Sequence, residues 1–224
     1  MDKKKEYLKQ IAQDMVEHLL TMPDNTSICT RDMLTLIGGP VLSDSDLFDV
    51  DDFFFQEAEK NGYIVDTSEH TGLVEGLPFN LDATFRNKKA LLSKFSSLPA
   101  TEVTSSDGGK YYVKKYVETK AVETSEEVEL FTERRTLHLY IIPPHQITGT
   151  IEPKNHRLTF VTISGKGEIE YSRGMPLLTE KLYYRKKAEL FDEPCIIKNT
   201  SDKNLVLFVV DIDDSQYIPQ FGIR

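Results

Sequence analysis

Apolar positions recur at three- and four-residue spacing near the start of the chain. Leu8, Ile11, Ala12, Met15, Val16, Leu19 and Leu20 form one stripe on a predicted helix, which Pro23 ends. Thr30 is placed to cap a short second helix carrying Met33, Leu34 and Ile37, stopped by Gly38-Gly39-Pro40. A third helix is predicted over 49–60, with acids in its first turn, where the peptide dipoles favour negative charge, and Gly62 at its exit. Extended segments at 63–66 and 81–86 follow, separated by turn residues around Gly72 and Gly76. Beyond residue 109 the period shortens to two. Segments 110–118, 127–132, 136–142, 158–163, 168–172, 194–199 and 205–211 are β-branched or aromatic and bounded by turn residues, which predicts an antiparallel sandwich or barrel. Between the two patterns, 96–109 is rich in Ser, Thr and Gly and reads as a linker or long loop. The expected fold class is therefore α+β, with domains at 1–95 and 110–224.

Composition narrows the function. The 224 residues are 39% hydrophobic, enough for a real core, and exclude a disordered tail, a collagen-like fibre or a coiled coil. The formal charge of −9 is uneven: residues 1–95 hold 17 acids against 10 bases, and residues 96–224 hold 19 against 17. A protein that neutralises phosphates carries a positive field, so nucleic acid is an unlikely partner. Arg86, Lys88 and Lys89 after the third helix are the few bases placed to touch a phosphate. No apolar run has the roughly 18 residues a membrane helix needs. The opening Met-Asp-Lys-Lys-Lys-Glu leads into an amphipathic segment, not a signal core, and Cys29 and Cys195 lack metal spacing, so a reducing, cytoplasmic setting is expected.

Three helices followed by a hairpin resemble a winged-helix domain. In the second half, His156-Arg-Leu-Thr-Phe-Val-Thr-Ile-Ser-Gly-Lys-Gly-Glu-Ile-Glu-Tyr171 resembles the first motif of the cupin family, in which a strand bearing metal ligands runs into a Ser-Gly-x-Gly turn. The stretch from Glu189 to Val210, with Pro194, Cys195 and Asn199, resembles the second motif. The resemblance covers roughly the last 120 residues and implies a jelly-roll barrel that pairs as a homodimer. It also places the family's metal ligands near Pro153 and Asn155, at Leu158, where a glutamate would stand, and at Cys195, where a histidine would stand. A cation held by three histidines and a carboxylate has no such donors here. The expectation is a metal-free, cofactor-free barrel.

Strand alternation puts His156, Leu158, Phe160 and Thr162 on one face and Cys195, Ile197 and Asn199 on another, both lining the interior. His138 and Tyr140 are candidates for the same interior, so His138, Tyr140, His156, Phe160 and Cys195 form the candidate ligand-binding set. Cys195 has no nameable base beside it and reads as a small buried residue. The acidic run of Asp44, Asp46, Asp49, Asp51 and Asp52, followed by three phenylalanines, reads either as a helix start or as a surface for a basic protein groove. Gly76-Leu-Pro-Phe-Asn-Leu-Asp82 reads as a local turn. No phosphate loop, nucleophile elbow or zinc-protease motif is present. The expected function is a non-catalytic binding or regulatory protein with a metal-free cupin-like domain for a ligand or for dimerisation. The alternatives are a metal-independent isomerase or epimerase of a sugar-like molecule, an acidic inhibitor of a basic groove, and a DNA-binding regulator.

Overall fold

The computed structural model describes residues 3–67, 82–105, 108–122, 131–153, 156–172 and 177–213. The chain divides into two compact units, Met1–Lys94 and Phe95–Arg224. No described helix is long and apolar enough to cross a membrane.

The first unit runs α1 (Lys3–Leu19), β1 (Asn25–Cys29), α2 (Thr30–Leu36), α3 (Asp44–Lys60), β2 (Tyr63–Asp66), β3 (Asp82–Asn87) and α4 (Lys88–Ser96), the last crossing the division. Its three strands form an antiparallel sheet in the order β1-β3-β2. The predicted α1 stripe is buried against Val50, Phe54 and Ala58 of α3 except for Leu20, which follows the helix and is exposed, and the Phe54 and Phe85 rings meet at 4.8 Å. Two helix starts differ from expectation. α2 is capped one residue earlier, by Cys29, whose Sγ accepts the amide of Asp32 at 3.3 Å. The Thr30 hydroxyl instead donates to Asp51, fastening α2 to α3. α3 begins at Asp44, because Ser43 accepts the Asp46 amide and the first acids already lie in the favourable turn. Arg86, expected near phosphates, is interior: its guanidinium pairs with Asp66 at 2.8 Å, with side chains 2% and 0% exposed. The Gly76–Asp82 turn lies outside the described residues but for Asp82, the first residue of β3.

The second unit is built of β4 (Thr101–Thr104), β5 (Lys110–Val122), β6 (Phe131–Ile142), β7 (His156–Ser164), β8 (Gly167–Ser172), β9 (Leu177–Leu182), β10 (Lys187–Phe191), β11 (Cys195–Asn199) and β12 (Leu205–Asp213). One sheet has the order β10-β7-β12-β6-β5-β4; the other is β11-β8-β9, extended by bridges from Ile147 to Lys198 and from Ile151 to Cys195. Eight successive segments from β6 to β12, counting 147–151, thus fill two facing four-strand rows, β6-β12-β7-β10 and 147–151-β11-β8-β9. That is the double Greek key of a jelly roll. Part of the expected linker is strand β4, hydrogen-bonded to β5 from Thr101 opposite Val113 to Thr104 opposite Lys110. The end of the strand predicted at 127–132 and the strand predicted at 136–142 are one, β6, in unbroken register with β5 from Val122 opposite Phe131 to Tyr112 opposite Ile141, while 127–130 lie outside the described residues.

The Ser-Gly-x-Gly turn has a steric reason. Gly165 has φ of +84°, and a Cβ there would lie 2.5 Å from the Asn204 carbonyl; at Gly167 it would lie 2.3 Å from the Lys198 carbonyl. Asn199 fastens the next turn: its amide donates to the carbonyls of Ile142, Pro143 and Lys203, and its carbonyl accepts from Ser201. Leu158, Phe160, Ile169, Ile197, Leu205, Leu207 and Val209 fill the space between the sheets, none more than 4% exposed.

Candidate functional site

A charged and titratable cluster lies at one end of the inner face. His138 on β6 is two residues from Tyr140, Asp211 on β12 is two from Val209, and His156 on β7 is two from Leu158, so all three share the parity of core residues. β12 lies between β6 and β7, which brings the Asp211 carboxylate between two imidazoles. Nε2 of His138 lies 3.2 Å from Oδ2, and Nδ1 of His156 lies 2.5 Å from Oδ1. The side chains of His138 and Asp211 are 14% and 18% exposed, and that of His156 is 36% exposed. The cluster therefore spans from the packed interior to its rim.

Burial by itself would raise the Asp211 carboxyl, but hydrogen bonds and charge from both histidines outweigh it and hold its pKa below the ordinary carboxylate value. An ionised carboxylate only accepts, so the ring nitrogens facing it carry the protons. Deeper in, the His138 ring stands 5.8 Å from Tyr140, which in turn contacts Tyr111 at 5.9 Å and Phe160 at 6.4 Å. Burial, together with Tyr111, Asp211 and Cys195, raises the Tyr140 phenol, so it stays protonated. Burial pushes the Cys195 thiol up to about 12, which leaves it without nucleophilic character at neutral pH.

The candidate set divides accordingly. His138 and His156 come together; Tyr140 lies behind them; Phe160 and Cys195, 0% and 1% exposed, belong to the filled interior. Asp211, the residue that unites them, was not in the set. The available signal was its parity with Leu207 and Val209, masked by an acidic strand end that reads as solvent-facing. The places the cupin resemblance assigns to metal ligands do not fit a cation: Pro153 and Leu158 offer no side-chain donor, Cys195 stays a protonated thiol, and Asn155 lies outside the described residues. Among the described residues, no group of three His, Cys, Asp or Glu is placed to hold a metal ion.

The five aspartates of α3 are unequal. Asp44 pairs with Arg31 at 2.7 Å, Asp46 with Lys4 at 2.6 Å, and half-buried Asp51 accepts from Thr30. Asp49 and Asp52 are exposed, as is Asp44 despite its pairing.

The strand order defines the second unit as a cupin-like jelly roll. No protein-family profile and no curated protein matches the chain. Among solved structures, the chain is similar to Drosophila melanogaster CENP-C bound to CAL1, at 19% identity over 52% of this chain and 81% of that one, with a TM-score of 0.37. It is also similar to a predicted oxalate decarboxylase from Thermotoga maritima, at 14% identity over 53% and 95%, with a TM-score of 0.38. A third similarity is to hazelnut vicilin, at 12% identity over 36% and 24%, with a TM-score of 0.34.

Proposed function

We propose that the chain is a non-catalytic binding and regulatory protein whose jelly roll takes a small polar ligand, without a metal, at the His138–Asp211–His156 end. The observation that carries this reading is a hydrogen-bonded polar cluster that shares the inner face of the sandwich with its apolar core, with one imidazole open at the rim. Burying such a cluster costs free energy unless its groups are paired, and the pairing here fixes both rings in one orientation. The reading includes self-association of the jelly roll, since β9 and β10 end their sheets among the described strands and Leu177, Tyr183, Tyr184 and Phe191 on or beside them are about half exposed. It also includes a winged-helix-like first unit, supported by its element order and the β1-β3-β2 sheet. In such a domain α3 would face the partner, and its acids favour a basic protein over nucleic acid. A reducing, cytoplasmic setting belongs to the same proposal, resting on the use of two cysteines far apart in the sequence, both buried.

The test is a thermal-shift screen of polyols, amides, carboxylates and phosphates, followed by calorimetric titration of whatever raises the melting temperature. A binder whose affinity drops at least about tenfold in Asp211→Asn, about 1.4 kcal/mol, supports the reading. A binder indifferent to that change, or none in the screen, overturns it.

One observation favours a second reading. Two carboxylate-oriented imidazoles, one of them, His138, beside the protonated Tyr140, are the arrangement a metal-independent isomerase or epimerase needs to exchange protons with a sugar-like substrate. Deuterium appearing next to the carbonyl of a keto sugar incubated with the protein in heavy water, and not with His156→Ala, would establish that activity.

A further inference from the structure

The two imidazoles are not equivalent. Because the nitrogens facing Asp211 carry the protons, a neutral His138 keeps its lone pair on Nδ1 and a neutral His156 keeps it on Nε2. Nδ1 of His138 is buried without a hydrogen-bond partner among the described residues, whereas the His156 ring is the most open member of the cluster. One acceptor is sealed and the other belongs to the more open ring.

The charged groups around the cluster are of both signs. Lys115 on β5 is opposite His138, and Asp213 on β12 is opposite His156. Asp192 follows β10 and donates its amide to the His156 carbonyl. From the facing sheet, Tyr171 donates to Glu180, while Tyr140 on β6 and Cys195 on β11 stay neutral. No field of a single sign selects an ion.

We propose that the cluster is a proton-linked site: it holds an uncharged hydroxyl- or amide-bearing molecule that donates a hydrogen bond to Nε2 of His156, and releases it when that nitrogen takes up a proton. This rests on the reading of the inner-face end as a ligand site and adds the class of ligand and its control. Imidazole changes charge between pH 5 and 8 in proteins. Proton and ligand compete for one nitrogen, so affinity falls about tenfold for each pH unit below the imidazole titration.

Native mass spectrometry of the full chain at pH 8 and pH 5.5 reads this, using the non-covalent mass carried from the expression host as the probe. The wild type is expected to carry the mass at pH 8 and to lose at least about tenfold of its occupancy at pH 5.5. His156→Gln offers a carbonyl acceptor that does not titrate, and is expected to keep the mass at both values; His156→Ala loses it at both. Circular dichroism establishes that each variant is folded. Equal occupancy of the wild type at both values overturns the proton linkage and leaves the ligand site standing. His156→Gln following the wild-type pH dependence overturns the assignment to His156. A wild type with no added mass at either value overturns the ligand reading beneath it.

Discussion

Asp211 is the residue on which the account turns, and its environment gives it a pH signature. Its folded pKa is depressed by two imidazole partners, so it contributes stability that is present above the unfolded carboxylate value and lost as pH falls through the folded one. The urea midpoint should therefore fall from pH 4 towards pH 2, and the fall should be smaller in Asp211→Asn. An equal acid response in the variant would mean that the carboxylate is not engaged. At this scale the sequence was readable for residues whose role follows from parity. Strand alternation put His156 on the inner face with Leu158, His138 was only a candidate for that interior, and Cys195 was read as a buried small residue, which it is. What parity could not give was the partner. Asp211 meets its histidines across three strands and across separations of 73 and 55 residues, and only the sheet order sets those contacts.

Among elements, the jelly-roll turns are the part most tightly dictated by residue type. Gly165 combines a positive φ with a backbone oxygen 2.5 Å from where a Cβ would stand. Gly165→Ala is therefore expected to destabilise the jelly roll by about 1–3 kcal/mol, read as a lower denaturant midpoint with unchanged slope. A variant as stable as the wild type would contradict the packing of β7 and β8 against the 204–205 turn. Elements with a strong period, such as α1 and β12, were legible in the sequence. Strands held by pairing rather than pattern were not. β9 and β10 are rich in Lys and Glu, β6 carries Glu133-Arg134-Arg135 at the point where the pattern broke, and β1 and β4 are too short to show a period. The start of α3 was misplaced for a similar reason: Ser43 caps it through a side-chain acceptor, before the apolar stripe begins.

For the whole molecule, the fold class was readable because helical and strand periods occupy separate halves of the chain, and because the Ser-Gly-x-Gly and Asn199 turns sit where a jelly roll needs them. The proposed self-association rests on the exposed apolar side chains at the β9 and β10 edges. Light scattering at micromolar concentration is expected to give twice the 25.6 kDa chain mass, and a monomer at that concentration would remove the pairing from the proposed function. The measurement closest to the central claim is the nitrogen-15 NMR spectrum of the histidine rings in the intact protein at pH 8. Unrestrained neutral imidazole prefers its proton on the ε nitrogen, whereas the Asp211 contact requires it on Nδ1 of His156 and on Nε2 of His138. One ring of each tautomer, with the Nδ1–H form lost in Asp211→Asn, is the predicted result. A His156 ring protonated on Nε2, or averaging between the two forms as in a free side chain, would contradict the site and the function built on it.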